Sequence, residues 1–252
     1  MRDVVAAEWI KIRTVRSTGW TMLLTVALGT GLGALVGLSF RNAPARPGFF
    51  DPLFAAFYSL TLAQLPLVVF GVVTVTAEYT SGTIHASLAA VPRRGVFYAG
   101  KLLGCLPLVL GVSVATVLGS FFASQATLGP DGVGLGAPGV SEAVIGCSLY
   151  LTLMCLFAAG LGMLLRSSTV SLAILLPLLF LGSQGLGNVP GLKTFLQYLP
   201  DQAGAVMLHL TGPPGDPQFG RDYGAWTGLA ILTLWTAAAL LAGHLTLRRR
   251  DA

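Results

Sequence analysis

The sequence contains one pattern that could bind a nucleotide, between Gly95 and Lys101. These seven residues fit the Gly-x-x-x-x-Gly-Lys part of a phosphate-binding loop. In such loops a serine or threonine follows the lysine and binds Mg²⁺, whereas Leu102 follows here. A long apolar segment comes directly after the pattern, and no strand-like segment precedes it. We therefore do not expect this chain to bind ATP.

Other reactive side chains also lack the spacing that catalysis requires. The three histidines form no His-Glu-x-x-His pattern, and no serine lies in a Gly-x-Ser-x-Gly elbow. The three cysteines, Cys105, Cys147 and Cys155, lie within apolar segments and have no metal-ligand spacing. The sequence thus predicts no catalytic residue, no metal site and no cofactor in this chain.

The scarcity of charged side chains predicts the secondary-structure elements that hold these residues. Charged residues make up 10% of the chain and hydrophobic residues 54%, whereas soluble domains are about 25% charged and about 45–50% apolar. Six uncharged intervals each exceed twenty residues, and about 20 apolar residues cross a bilayer as a helix. Lipid offers the backbone no hydrogen-bond partner, so helices are the expected form. The predicted spans are 19–40, 53–77, 102–124, 143–165, 170–186 and 223–247.

The basic residues predict the orientation of these spans. With six spans both termini lie on one side, and that side carries eleven of the fifteen lysine and arginine side chains. The positive-inside rule places it in the cytoplasm. The expected fold is an all-α, polytopic membrane protein with six transmembrane helices and with cytoplasmic amino and carboxyl termini. This topology explains the net charge of +5, so no nucleic-acid partner is expected.

The first 18 residues predict a helix that lies in the membrane interface. At helical spacing Val5, Trp9 and Ile12 share one stripe, and Lys11 and Arg13 flank it. Tryptophan is also common at the level of the lipid headgroups. The alternative is a basic tail whose role is to orient the first span.

A second polar segment, 78–101, connects the second and third spans in the cytoplasm. Ile84, Leu88 and Val91 repeat at i, i+4 and i+7, which predicts a short helix with one apolar stripe. Pro92 ends this helix. A short helix of this kind fits a groove of a soluble partner, and the alternative is an ordinary loop.

Small and amide side chains within the spans allow two interpretations. Gly29, Gly33 and Gly37 recur every four residues on the first span and allow another helix to approach closely. Gln64 and Gln184 are uncharged polar groups within the second and fifth spans. They either line a transport path or hydrogen-bond neighbouring helices. No span has a charged residue at its centre, which argues against a proton-coupled or ion-coupled transporter.

Three segments resemble the ABC-2 type permease family, the membrane subunits of ATP-binding-cassette exporters. Segments within 7–20 resemble that family's opening helix and the entry to its first span. Segments within 77–101 resemble the connection between its second and third spans. Residues 198–200, Tyr-Leu-Pro, are similar to its last outer loop. Span number and loop order extend the resemblance over 1–252 as a single membrane domain.

The resemblance implies a working arrangement that composition does not show. The permease would form a homodimer, or pair with a second permease, in a bacterial plasma membrane and would recruit a separate ATPase subunit. Segment 78–101 would carry the coupling helix seated on that ATPase, and 187–222 would form short re-entrant helices that close the exit. The residues implied at the ATPase interface are Glu78, Tyr79, Thr83, Ile84, Leu88, Arg93 and Arg94. Within this set Glu78 would face a basic group of the ATPase.

Two other functions remain open on the sequence. One is a membrane facilitator or assembly factor that works without an ATPase, and the other, ranked third, is a membrane-embedded transferase. A co-purifying ATPase subunit separates the export subunit from both.

Overall fold

Helices form every regular element in the part of the chain that the structure describes. The structure, a computed structural model, describes residues 1–42, 51–183, 193–212 and 219–249. Within these residues there is no strand. The α-helices are α1 (Arg2–Thr14), α2 (Arg16–Arg41), α3 (Pro52–Phe57), α4 (Leu60–Thr80), α5 (Ile84–Ala90), α6 (Arg94–Leu128), α7 (Val140–Leu165), α8 (Ser168–Ser183), α9 (Lys193–Leu196), α10 (Pro200–Ala205) and α11 (Ala225–Arg249). A short 3-10 helix, Gly129–Asp131, follows α6.

Five helical segments in the described residues are long and apolar enough to cross a membrane, so the chain is a multi-pass membrane protein. They are Arg16–Arg41, Pro52–Thr80, Arg94–Asp131, Val140–Leu165 and Ala225–Arg249. α8 overlaps the span predicted over 170–186, but its 16 described residues are fewer than a crossing needs. Residues 184–186 lie outside the described part of the chain. The count of six spans, and the side on which the termini lie, therefore stay predictions.

The three glycines of the predicted repeat pack α2 against α6. A Cβ atom at Gly33 would lie 2.9 Å from the carbonyl oxygen of Ser120, and one at Gly37 would lie 2.7 Å from that of Ser124. A Cβ atom at Gly29 would lie 2.5 Å from Cγ2 of Thr116, one turn earlier on α6. Side chains larger than hydrogen would separate the two backbones. The repeat therefore serves helix packing within this chain.

α7 forms the centre of the bundle. It packs against α4 on one side and α11 on the other. A Cβ atom at Gly71 of α4 would collide with the carbonyl oxygen of Cys155, and one at Gly160 would lie 2.7 Å from the carbonyl carbon of Ala239. The buried apolar core continues along α7 past Tyr150.

Arginine side chains fix the carboxyl end of α11. Arg94, at the start of α6, donates from Nη1 to the carbonyl oxygen of Leu247 at 2.8 Å. Arg166, after α7, donates from Nη2 to the carbonyl oxygen of Thr246 at 3.0 Å. The last carbonyl groups of a helix carry its negative end and have no partner within it, so cations are favourable there. α1 packs on the same end of α6, which we call the basic end of the bundle; the opposite end is the outer end.

Candidate functional site

Four charged side chains meet at the basic end, where α1, α4 and α6 come together. Lys101 Nζ lies 2.8 Å from Glu78 Oε1 and 3.1 Å from Glu8 Oε2. Lys11 Nζ lies 2.7 Å from the same Glu78 oxygen and 2.9 Å from Glu8 Oε1. Two carboxylates and two ammonium groups therefore alternate in a closed set whose net charge is zero. We call these four residues the ion cluster.

Burial makes the ion cluster sensitive to the loss of a member. The Lys101 side chain is 1% exposed and those of Glu8 and Glu78 are 7% exposed, whereas that of Lys11 is 50% exposed. Removing one partner of a buried ion pair costs about 3–5 kcal/mol, because the other charge is left uncompensated. Burial works to lower the pKa of Lys11, but its hydrogen bonds to the Glu78 and Glu8 carboxylates, together with their negative charge, raise that pKa overall. The cluster therefore ties α1, α4 and α6 together.

Two glycines of α6 allow α1 to reach the ion cluster. A Cβ atom at Gly100 would lie 2.5 Å from Val4 Cγ1, and one at Gly104 would lie 2.9 Å from the Cβ atom of Glu8. This packing explains the residues that imitate a phosphate-binding loop, because Gly100 admits α1 and Lys101 neutralises two carboxylates. Neither role involves a nucleotide.

The buried face of α1 differs from the predicted stripe. Ile12 is buried within the bundle, whereas Val5 and Trp9 are half-buried. Glu8 is buried instead and shares a face with Ile12, one helical turn away. A carboxylate on the apolar face of a helix needs a buried cation, so the position of Glu8 did signal a cationic partner, although not which one. The location of α1 in the membrane interface stays a prediction.

The apolar stripe of α5 faces the bundle. Ile84 is 3% exposed, and Leu88 and Val91 pack on a small apolar cluster that includes Phe97 and Tyr98. The chain's own helices therefore remove the apolar surface of Ile84 from water, whereas Leu88 stays half-buried. The predicted contact of these two residues with a partner subunit stays a prediction. The exposed residues on and beside α5 include Thr83, His85, Ala86, Ala89, Ala90 and Arg93.

Other residues predicted at the partner interface also have neighbours within the chain. The Glu78 carboxylate is buried in the ion cluster, which does not fit its predicted contact with a basic group of an ATPase. Arg94 binds the end of α11, and Tyr79 is half-buried. Among the predicted interface residues, Thr83 and Arg93 are the exposed ones. The exposed surface of this segment is therefore the outer face of α5, and Glu78 lies behind it. The interface with an ATPase subunit stays a prediction.

Gln64 hydrogen-bonds a neighbouring helix. Its side chain is buried and accepts at Oε1 from the hydroxyl of Tyr150 at 2.8 Å. Its Nε2 donates to the carbonyl oxygen of Thr61 at 3.1 Å. Of the two predicted roles, these contacts fit hydrogen bonding between α4 and α7. Gln184 lies outside the described residues.

The outer segment contributes a helix that is buried throughout. All six residues of α10 are buried. A Cβ atom at Gly204 would collide with the ring of Tyr150 in α7, and one at Gly228 in α11 would collide with the carbonyl oxygen of Ala203. α10 is therefore wedged between α7 and α11 in the outer half of the bundle. The re-entrant arrangement predicted for 187–222 stays a prediction.

Asp201 in α10 is a buried carboxylate. The residue is 6% exposed, and its Oδ2 accepts from Gln202 Nε2 at 2.7 Å. Its Oδ1 is buried and has no hydrogen-bond partner among the described residues. Burial raises the pKa of Asp201 above the ordinary value of 3.8, although Gln202 and the charge of Arg221 oppose this effect. The surroundings thus favour the protonated form.

We expect thermal stability to depend on pH through Asp201. The pKa of Asp201 is raised in the folded state. The contribution of Asp201 to stability is therefore present below the ordinary pKa of 3.8 and is lost as pH rises through the folded-state pKa. The unfolding midpoint of the purified protein should fall between about pH 4.5 and about pH 7.5, and Asp201→Asn should reduce that fall and raise the midpoint at about pH 7.5. Thermal unfolding in detergent across this range measures both effects.

The matched control for this prediction is Asp222→Asn. Asp222 is an exposed acid of the same outer segment, and asparagine keeps an oxygen that can accept from Gln197. This variant should keep the pH dependence of the unmodified protein. Equal pH profiles for the unmodified protein and Asp201→Asn would contradict the prediction.

Histidine and cysteine side chains form no metal centre in the ranges that the structure covers. The three cysteines are free and buried. His209 Nδ1 lies 2.7 Å from Asp51 Oδ2, and the ring of His244 stacks on that of Tyr98. His85 is exposed on α5.

Comparison with known protein families relates this arrangement to transport. A family profile described as ABC-2 family transporter protein matches residues 53–252. The match covers well over half of the chain, from α3 to the carboxyl terminus, and includes the whole connection through α5, while α1 and α2 precede it. The comparison with curated proteins found no match. The chain therefore belongs to the ABC-2 family of transporter proteins, as a transmembrane subunit of an ABC transporter.

Proposed function

We propose that this chain is the membrane subunit of an ATP-driven exporter, which pairs as a dimer and takes its energy from a separate ATPase subunit. Membership of the ABC-2 family supports a subunit of this kind. The observation that carries the proposal is the position of α5, which is anchored to the bundle on one face and exposed on the other.

The exposed face of α5 suits the seat of a soluble subunit. Ala86, Ala89 and Ala90 are small, so a partner can approach the helix backbone closely. Ile84 anchors the opposite side of the helix in the bundle. Force applied to the exposed face is therefore passed to the helices below.

The ion cluster would distribute that force over three helices. Glu78 lies near the end of α4, just before α5, and Lys101 lies in the first third of α6, just after it. Both bind the charged residues of α1. A movement of α5 would therefore shift α1, α4 and α6 together, and the path for the cargo would open between two protomers.

Affinity purification of the full chain in a mild detergent tests the proposal. We expect an ATPase subunit to co-elute and its rate of ATP hydrolysis to depend on this chain. A chain that purifies without an ATPase and transports when reconstituted alone would be a facilitator, and the proposal would be wrong.

We expect Ala89→Trp to weaken binding of the ATPase subunit about tenfold, which corresponds to about 1.4 kcal/mol. The indole would stand on the exposed face of α5 and keep a partner away, without entering the core of this chain. Binding of the purified subunits, and stimulation of ATP hydrolysis, measure the effect.

Ala126→Trp is the control, since Ala126 is exposed at the other end of α6. It should bind the ATPase as the unmodified chain does. Equal binding by the Ala89 and Ala126 variants would show that the ATPase subunit does not bind at α5.

A further inference from the structure

A cleft of about 220 Å³ lies at the basic end of the bundle, between α1, the start of α2, and α4. Its walls are mostly apolar and include Ile12, Phe70 and Val73. Glu8 and Lys11 of the ion cluster stand at one end. Hydroxyl groups also line it, from Ser17, Thr18, Thr21 and Thr74. We call this space the α1–α4 cleft.

The cleft results from an elbow between the first two helices. α1 ends at Thr14, α2 begins at Arg16, and Val15 between them is extended, with φ −80° and ψ 111°. The elbow lets α1 pack on α6, so the space beside α4 stays open. Val73 on the α4 wall is 42% exposed. Because α2 and α4 belong to segments that are long and apolar enough to cross a membrane, we expect this opening to be accessible to lipid.

The volume of the cleft suits part of one hydrocarbon chain. Sites for drug-sized molecules measure about 300–1,000 Å³, which is larger than this space. An acyl chain is the apolar ligand that the bilayer itself supplies at this position. Its methylene groups would cover the α4 wall, where Val73 is 42% exposed.

The accessible charges at the mouth of the cleft are cationic. The Lys11 side chain is 50% exposed, whereas the carboxylates of Glu8 and Glu78 are almost fully buried. Lys11 uses two of its three ammonium hydrogens on these carboxylates, so one is left to donate. Arg13 and Arg16 lie on either side of Val15, which lines the cleft, and both are exposed.

We propose that the α1–α4 cleft binds one acyl chain of an anionic phospholipid, whose phosphate group is held by Lys11 and Arg13. Charge complementarity selects this ligand, because anionic headgroups are concentrated in the cytoplasmic leaflet, where the basic end is predicted to lie. The bound lipid would brace α1 against α4. This inference concerns the isolated subunit and does not depend on an ATPase partner.

Lipid binding to the purified full chain, after removal of native lipid, tests the proposal. The probes are phosphatidylglycerol and phosphatidylcholine with the same acyl chains, and native mass spectrometry gives the affinities. We expect phosphatidylglycerol to bind at least tenfold more tightly. Val73→Trp, which fills the cleft, should weaken that binding at least tenfold, whereas Val114→Trp should not. Val114 is the matched control because it is a valine of a span, on α6, and is 38% exposed.

Two results would overturn the proposal. Equal affinities for the two lipids would show that the cationic mouth does not select the headgroup. Equal binding by the two tryptophan variants would show that the lipid does not bind in the cleft. A photoreactive group near the end of the phosphatidylglycerol acyl chain provides a second test on the unmodified protein. Cross-links should map to the α4 wall around Phe70 and Val73, and cross-links confined to other helices would contradict the assignment.

Discussion

Replacing Lys101 by methionine is expected to lower the free energy of unfolding by about 3–5 kcal/mol. Methionine keeps the apolar part of the side chain and removes the ammonium group. Glu78 and Glu8 would then share the single cation of Lys11, in surroundings where their side chains are 7% exposed. A single cation cannot neutralise the charge of two buried carboxylates. The stability is therefore lost at the contact between α1, α4 and α6. Thermal and denaturant unfolding in detergent measure the change.

A double variant separates the charge effect from the loss of packing. Glu78→Gln combined with Lys101→Met should recover part of the stability, with a coupling of at least about 1 kcal/mol, because an amide needs no counter-charge. Arg93→Met is the control, since Arg93 is an exposed cation at the start of α6 and should change stability by at most about 0.5 kcal/mol. A coupling of zero in the double variant would show that the ion cluster does not act through charge.

We expect opposite results from alanine at two neighbouring glycines of α2. Gly33→Ala should destabilise the fold by about 1–3 kcal/mol, because its methyl group would lie 2.9 Å from the Ser120 carbonyl oxygen and 3.2 Å from its Cα atom. These are backbone atoms, which cannot turn aside as a side chain can. The helices must therefore separate, and the effect should appear as a lower unfolding midpoint.

Gly31→Ala is the matched control on the same helix. A Cβ atom at Gly31 would have no other heavy atom within 4 Å. Alanine also favours the helix over glycine by about 1 kcal/mol, so this variant should be neutral or stabilising. Equal losses for the two variants would contradict the assignment of the glycine repeat to the contact between α2 and α6.

The apolar segments could be predicted because lipid excludes charge whatever the rest of the fold does. Their ends could not be placed in the same way. The third span was predicted to begin at Leu102, but α6 begins at Arg94. A charged residue marks where the chain leaves hydrocarbon, whereas a helix ends only where its backbone hydrogen bonds stop. α6 therefore continues past Lys101 into the basic end.

The pairing of distant residues could not be predicted from local patterns. Glu8 and Lys101 are 93 residues apart, and neither has a pattern around it that names the other. Periodicity likewise predicted a stripe on α5 but not the surface that covers it. For Gly29, Gly33 and Gly37, spacing predicted a close helix contact, and the structure was needed to identify α6 as the neighbour.

α11 is held at both ends, which makes it a stiff helix across the membrane. Its 25 residues extend about 37 Å at about 1.5 Å per residue, and it contains no proline, whereas α4 and α6 each contain one. Arg94 and Arg166 donate hydrogen bonds to one end of α11, and α10 packs against the other end at Gly228. A displacement of the residues that follow α5 would therefore move α11 as a rigid body. This movement would reach α10 at the far face of the bilayer without bending α11 at a hinge.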